Sequence, residues 1–242
     1  MPRRKWDLLF RMKAMILAAG RGERMRPLTD TIPKPLLKVG GKALIVWHVE
    51  KLALAGFDAI VINHAHLGAM IEAELGNGEN YDIDIFYSPE TDALETAGGI
   101  VNALPLLGDQ AFAVVNADIF CDVDFRDLHA EASMLQDDPS RSAHLVLVDN
   151  PEHHPNGDFV LKNGLIVPEG TPRLTFSGIS IYRPEFFHAI ARGEKAALAP
   201  LIRVGIEEGR VSAESFSGMW TDVGTPARLE HLNQALQAKV IH

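Results

Sequence analysis

The chain has 242 residues, of which 47% are hydrophobic and 23% are charged, a composition that suits one domain with a substantial core. Its formal net charge is −9, which argues against a nucleic-acid partner, because binding a phosphate backbone requires a broad basic surface. The single cysteine, the lack of an apolar run of about 20 residues and the lack of a secretion signal predict a cytoplasmic protein without disulfides or a membrane partner.

The N-terminal residues 1–11, MPRRKWDLLFR, are basic and precede a second methionine, Met12. We interpret them as an N-terminal extension that is disordered and has no catalytic role. A short docking arm is the alternative. Residues 12–242 are expected to form a single domain.

The most informative stretch follows the extension. Residues 14–19 form an apolar run typical of a buried strand, and Gly20 ends that run. In the next loop, Gly20 and Gly22 allow backbone amides to approach an anion, and arginines such as Arg24 can bind phosphate oxygens in a fork. Lys34 stands between two prolines, which restrict its backbone. The stretch therefore predicts a binding site for a polyphosphate.

Two common phosphate-binding motifs do not fit this stretch. The pattern G-x-x-x-x-G-K-[ST] is absent, and G-x-G-x-x-G fails at its third glycine, where Met25 stands. The stretch resembles instead the signature of the sugar-1-phosphate nucleotidyltransferases, L-A-A-G-x-G-x-R-[ML]-x-P-L-T followed by P-K-P-L. The matching residues are Leu17, Ala18, Ala19, Gly20, Gly22, Arg24, Met25, Pro27, Leu28, Thr29, Pro33, Lys34, Pro35 and Leu36.

Helices and strands alternate after the signature. We predict helices over residues 44–55, 67–75 and 96–104, and strands over residues 59–63, 83–87 and 111–118. This alternation predicts an α/β fold with a doubly wound, mostly parallel sheet and helices on both faces. In such folds, ligands bind at the carboxyl ends of the strands. The family resemblance likewise implies a Rossmann-like nucleotidyltransferase fold of the GT-A kind.

A small-residue loop, PETDALETAGG, leads into the helix predicted from residue 96, where backbone amides can meet a phosphate or a base. By resemblance, the family places base-reading residues here, so Thr96 and Gly98 are expected to contact the nucleotide. A capped helix start is the alternative. The same resemblance assigns the rest of the nucleotide site to Ala18, Ala19, Gly20, Gly22, Glu23, Arg24 and Lys34.

Asn116 and Asp118 stand where the strand over residues 111–118 ends. A carboxylate beside phosphates at that edge suits Mg²⁺, whereas a helix-capping or loop aspartate is the alternative. By resemblance, Asp118 matches the metal-binding aspartate of the family, although Ala117 replaces the usual glycine before it. Asn116 is assigned to the sugar.

The second half of the chain adds antiparallel strands to the predicted sheet. We predict a strand over residues 144–148, a hairpin around Asn163-Gly164, and a strand over residues 174–182 in which Gly178 marks a close approach by another group. By resemblance, sugar contacts fall on Gly157, Glu169 and Ser177. For Glu169, a solvated turn is an equal alternative.

The C-terminal segment MWTDVGTP precedes a final helix, for which Pro226 suits the first position. It resembles the W-x-D-x-G-T-P motif of the family, in which the aspartate, here Asp222, is the second Mg²⁺ ligand. A turn-forming role for Asp222 is the alternative. Because the chain ends soon after this helix, we do not expect the repeat domain that follows in larger relatives.

The resemblance implies that a sugar 1-phosphate attacks the α-phosphorus of a nucleoside triphosphate, with Arg24 and Lys34 as catalytic cations and Mg²⁺ on Asp118 and Asp222. The expected substrates are UTP and N-acetylmuramic acid α-1-phosphate, in peptidoglycan recycling. Guanylyl transfer to mannose 1-phosphate and thymidylyl or uridylyl transfer to glucose 1-phosphate are alternatives. A catalytically silent subunit that senses a nucleotide-sugar is a third.

Overall fold

The structure, a computed structural model, describes residues 12–240, with side chains to residue 238. The N-terminal extension predicted over residues 1–11 lies outside the described residues. The strands are β1 (Lys13–Leu17), β2 (Lys38–Val39), β3 (Lys42–Ala43), β4 (Ala59–His64), β5 (Asp84–Pro89), β6 (Phe112–Asn116), β7 (Ile119–Cys121), β8 (Ala143–Val148), β9 (Val160–Lys162), β10 (Leu165–Val167), β11 (Thr175–Tyr182), β12 (Val211–Phe216) and β13 (Trp220–Asp222).

The helices are α1 (Leu44–Leu54), α2 (Gly68–Leu75), α3 (Glu95–Leu107), α4 (Phe125–Asp137), α5 (Leu198–Glu207) and α6 (Pro226–Val240). The helices predicted after the signature correspond to α1, α2 and α3. The prediction for α3 ended at residue 104, but the helix continues through Pro105 to Leu107. None of the helices in the described part of the chain is both long and apolar enough to cross a membrane.

Most of the strands form one mixed sheet, in the order β5-β4-β1-β6-β11-β8-β12-β10-β9. β5, β4, β1 and β6 are parallel, while β11 is antiparallel to both of its neighbours, β6 and β8. β8 and β12 therefore run in the same direction as β6. The predicted mostly parallel sheet with added antiparallel strands is confirmed, and the carboxyl ends of six strands meet at one edge.

Two apolar layers cover the sheet. Because side chains alternate along a strand, Ile16 of β1 packs into a layer that includes α1 and α4, and Met15 packs into the opposite layer with α3 and α5. The prediction of helices on both faces is therefore confirmed. α4, α5 and β12 were not predicted from the sequence.

The hairpin and the interior glycine of the second half are as predicted. Asn163 and Gly164, with φ of 52° and 77°, form the two-residue turn between β9 and β10, as a type I′ hairpin requires. In β11 the register shifts between Phe176 and Ile179. A side chain at Gly178 would place its Cβ 2.6 Å from the Asn116 Nδ2 atom, so the glycine gives Asn116 its space.

One buried histidine, His48, links α1 to β7. His48 Nε2 lies 2.9 Å from the carbonyl oxygen of Ile119, to which it donates, and the ring stacks on Phe125. Burial lowers the pKa of His48 to about 4, because the charged imidazolium loses its hydration. The imidazole is therefore neutral at physiological pH.

We expect His48 to make folding stability depend on pH. In the unfolded chain the imidazole takes up a proton below about pH 6.5, whereas the folded protein resists this down to about pH 4, so stability is lost as the pH falls through that range. Between pH 7 and pH 5 the free energy of unfolding should fall by about 2 kcal/mol more in the wild type than in His48→Gln, whose amide can donate without titrating. Urea unfolding at both pH values measures this difference. Equal losses in the two proteins would contradict the assignment.

Candidate functional site

A cleft of about 390 Å³ opens at the carboxyl ends of β1, β4, β5 and β6. It lies where the doubly wound topology predicts a ligand site. The predicted site residues that line it are Ala18, Ala19, Gly20, Gly22, Glu23, Arg24, Lys34, Thr96, Asn116 and Asp118. Those that do not line it are Gly98, Gly157, Glu169, Ser177 and Asp222.

The loop after β1, residues 18–36 (the phosphate loop), is held in one conformation. Gly22 has a φ of 71°, and its carbonyl oxygen accepts hydrogen bonds from Met25 N and Thr29 Oγ1, both at 2.9 Å. A Cβ at Gly22 would lie 3.0 Å from the Thr29 side chain and 3.3 Å from that of Lys34. The site therefore needs glycine at this position both for its backbone angle and for its space.

The three arginines of the phosphate loop differ in their contacts. Arg21 and Arg26 each place a guanidinium nitrogen 2.9 Å from Asp30. Arg24 has no carboxylate partner among the described residues, and it lines the cleft. Arg24 is thus the arginine of this loop that is available to an anionic ligand.

Lys34 and Asp118 join the phosphate loop to the end of β6. Lys34 Nζ lies 2.5 Å from Asp118 Oδ2, and the lysine side chain is only 11% exposed. The ammonium group is therefore held in the lining of the cleft by a charge-assisted hydrogen bond. A ligand phosphate that enters the cleft can meet both Lys34 and Arg24.

Asp222 reaches the same region through a second pair of strands. β13 is antiparallel to β7 and pairs Asp222 with Ile119, and the amide of Val223 donates to the carbonyl oxygen of Asp118 at 2.7 Å. The Asp222 side chain does not line the cleft, but Gly224, two residues further on, does. The two predicted metal ligands are thus neighbours at the backbone level.

The residues present fit a magnesium ion. Within residues 12–240 no cluster of three or more His, Cys, Asp or Glu side chains could hold an ion by protein ligands alone. Mg²⁺, however, is commonly bound by one or two carboxylates, with phosphate oxygens and water in its other positions. Asp118, which lines the cleft, and Asp222, whose neighbour Val223 is hydrogen-bonded to Asp118, carry carboxylates that could hold such an ion.

A buried polar network that was not predicted from the sequence also lines the cleft. Asn63 at the end of β4 accepts from the amide of Ala18 at 2.9 Å and donates to Glu90 Oε1 at 2.6 Å. Glu90 Oε2 in turn accepts from the amide of Leu94 at 2.9 Å. The network connects the phosphate loop to the start of α3. Its only signal in the sequence is a polar residue near the end of β4 and another directly after β5.

Thr96 and Gly98, which were predicted to contact the base, lie in different environments at the start of α3. Thr96 lines the cleft, whereas Gly98 packs against the segment before α5. The amides of Ala97 and Gly98 both donate to the carbonyl oxygen of Ala196, and a Cβ at Gly98 would lie 2.3 Å from the carbonyl oxygen of Glu194. The structure therefore gives Gly98 a packing role.

The residues predicted for the sugar lie in different environments. Asn116 lines the cleft, while Ser177 is buried and its Oγ accepts from the amide of Ile179 at 3.1 Å. Gly157 follows β8 with a φ of 57°, and Glu169 is exposed between β10 and β11. Sugar binding by Gly157, Glu169 and Ser177 stays a prediction.

Comparisons with known proteins agree with the signature. Residues 13–239 match the nucleotidyl transferase family. The chain is 56% identical over 223 residues to the N-acetylmuramate alpha-1-phosphate uridylyltransferase of Neisseria meningitidis serogroup B, covering 90% of this chain and 96% of that protein. It is 32% identical to the mannose-1-phosphate guanyltransferase of Aspergillus oryzae, covering 89% of this chain but 61% of that protein.

A solved structure shares the fold. A Bacillus anthracis protein described as a glucose-1-phosphate thymidylyltransferase, crystallised with sucrose, superimposes with a TM-score of 0.81 at 24% identity. The match covers 93% of this chain and 94% of that one.

We expect Asn63→Ala to destabilise the fold by about 2–3 kcal/mol, because it leaves the Ala18 amide and one oxygen of the buried Glu90 carboxylate without partners. Asn102→Ala is the matched control, since Asn102 makes one 3.2 Å hydrogen bond to the neutral Ser88 hydroxyl and should cost no more than about 1 kcal/mol. Urea unfolding at pH 7 measures both. Equal losses of unfolding free energy in the two variants would contradict the stabilising role assigned to the Asn63–Glu90 network.

Proposed function

The chain belongs to the nucleotidyl transferase family, and we propose that it transfers the uridylyl group of UTP to N-acetylmuramate α-1-phosphate, releasing pyrophosphate and a UDP-sugar. The similarity to the meningococcal uridylyltransferase, which extends over nearly the full length of both chains, supports this choice of substrates. The cleft geometry supports the reaction class, because the loop that follows β1 carries a fixed lysine, Lys34, and an arginine, Arg24, that has no carboxylate partner among the described residues.

In the proposed reaction, an oxygen of the sugar phosphate attacks the α-phosphorus of UTP, and the bond from that phosphorus to the bridging oxygen of the β-phosphate breaks. No general base is required, because a phosphate monoester is already anionic at neutral pH. The protein contributes position and charge. Arg24, which has no carboxylate partner among the described residues, stabilises the charge on the leaving pyrophosphate.

Lys34 is the second catalytic cation of the proposed reaction. Its ammonium group sits between the phosphate loop and the end of β6, where it can bridge the α-phosphate and the incoming sugar phosphate. Asp118 holds the lysine in that position before the substrates bind. Asp118 and Asp222 would hold Mg²⁺, which would supply positive charge to the phosphates.

The alternatives make different demands on the same cleft. A mannose-1-phosphate guanylyltransferase would use the same cations with a purine base, but the relative with that name is longer than this chain and less similar to it than the uridylyltransferase. A silent sensor subunit would not need Arg24, Lys34 and Asp118 together in one cleft. We assign the reaction to the cytoplasm and to the recycling of peptidoglycan sugars.

We expect pyrophosphate release to occur with UTP and N-acetylmuramate α-1-phosphate, and to be lost when EDTA removes Mg²⁺. The measurement is a coupled pyrophosphate assay of four nucleoside triphosphates against N-acetylmuramate, N-acetylglucosamine, glucose and mannose 1-phosphates. Preferred release with GTP and mannose 1-phosphate would favour the guanylyl alternative. No release with any pair would favour the sensor.

We expect Lys34→Ala and Asp222→Ala each to lower kcat by on the order of 10²-fold or more, because each removes one preorganised charge from the transition state. Lys162→Ala is the control, since Lys162 is exposed on β9 at the far edge of the sheet. Its kcat should stay within about twofold of wild type. The assignment fails if Lys34→Ala or Asp222→Ala retains turnover within about threefold.

A further inference from the structure

The Asp222 carboxylate is held through one of its two oxygens. Arg228 Nη1 donates to Asp222 Oδ1 at 2.6 Å, and the two side chains are only 19% and 23% exposed. His153, on the loop after β8, places Nε2 2.6 Å from the same Arg228 nitrogen and 3.0 Å from Oδ1. Because a guanidinium can only donate, the imidazole nitrogen accepts from it.

The loop before α6 leaves space for this contact. A Cβ at Gly224 would lie 2.2 Å from Arg228 Nη2 and 3.0 Å from Asp222 Oδ2. The backbone of Gly224 lies outside the left-handed region, so its angles do not demand glycine. A side chain at this position would instead displace the Arg228 guanidinium from Asp222.

The start of α6 fixes the base of the arginine. Thr225 Oγ1 accepts from the amide of Arg228 at 3.3 Å, and Pro226 begins the helix. A cation in the first turn of a helix is unfavourable, because the helix dipole places positive charge there. Arg228 therefore stands at a position that helix stability alone does not favour, and its contact with Asp222 offsets this.

The second carboxylate oxygen is left available. Asp222 Oδ2 lies toward Gly224, which lines the cleft, and it makes no hydrogen bond to the residues that the structure describes. A guanidinium that hydrogen-bonded to both carboxylate oxygens would compete with a cation for Oδ2. Arg228 Nη1 hydrogen-bonds to Oδ1, whereas no hydrogen bond joins the guanidinium to Oδ2 among the described contacts.

We propose that Arg228 is a positioning residue that holds Asp222 through Oδ1, so that Oδ2 faces the cleft and binds the divalent cation of the UTP complex. This rests on the proposed function, in which Asp222 is a metal ligand. Outer-shell partners that orient a ligating carboxylate typically change metal affinity by about 10–100-fold. His153 accepts from the same Arg228 nitrogen, so the loop after β8 is linked to this contact.

The test is a Mn²⁺ titration followed by EPR in the presence of UTP, with the binding of Mn²⁺ to UTP alone subtracted. In Arg228→Met we expect the dissociation constant for Mn²⁺ to rise about 10–100-fold. Arg228→Lys keeps the charge without the planar fork, and its dissociation constant for Mn²⁺ should lie between those of the wild type and Arg228→Met. Arg126→Met, which removes an arginine that pairs with Asp124 on the exposed side of α4, should stay within about twofold of wild type and controls for net charge.

A second background separates positioning from a general structural effect. In Asp222→Asn, adding Arg228→Met should produce no further loss of Mn²⁺ affinity, because the two changes act on the same contact. Raising the Mg²⁺ concentration should restore the kcat of Arg228→Met toward wild type.

Three results would overturn the proposal. The first is unchanged or tighter Mn²⁺ binding in Arg228→Met. The second is a loss of Mn²⁺ affinity, when Arg228→Met is added to Asp222→Asn, as large as the loss that Arg228→Met causes in the wild type. If the wild type transfers uridylyl groups, either result leaves the proposed function intact. The third, a wild type that binds no Mn²⁺ beyond that held by UTP alone, overturns both proposals.

Discussion

The site depends on a small apolar cluster beneath it. Met25 of the phosphate loop, Phe120 of β7 and Val223 after β13 are buried together, and Leu232 of α6 packs with them. Burial of these side chains joins three segments that are distant in the chain, because each would otherwise expose apolar surface to water. The pairing of β7 with β13 then sets the register. Arg24, Lys34, Asp118 and Asp222 reach one region because the residues beside them are packed in this cluster.

Two of the cations at the site, Lys34 and Arg228, are paired with carboxylates before any ligand binds. Lys34 is paired with Asp118, and Arg228 with Asp222, whereas Arg24 has no carboxylate partner in the described part of the chain. A chain with a net charge of −9 would repel a triphosphate at long range, so local cations must bind it at close quarters. Fixed pairs reduce the reorganisation that substrate binding requires. Ion pairs within the protein therefore hold the charged side chains of the cleft in place.

Local patterns predicted much of this fold. The apolar runs of β1, β4 and β6 and the Asn163-Gly164 turn act over a few residues, so they can be recognised without the tertiary structure. α4 was missed although its buried residues, Phe125, Leu128, Ala132 and Leu135, have helical spacing. The Asn63–Glu90 network and the contact of Arg228 with Asp222 were missed for another reason. They join ends of elements whose relative placement is set by sheet order and packing, which no short pattern contains.

The first turn of α3 also has a consequence for how base preference could change. Ala196 accepts from the amides of Ala97 and Gly98 and donates to the carbonyl oxygen of Leu94, so a segment remote from the ligand forms the backing of the helix that presents Thr96. Insertions or deletions in the segment directly before α5 would therefore shift the start of α3 and with it Thr96. In the proposed reaction, base preference would then depend on this supporting segment as well as on the residues that touch the base.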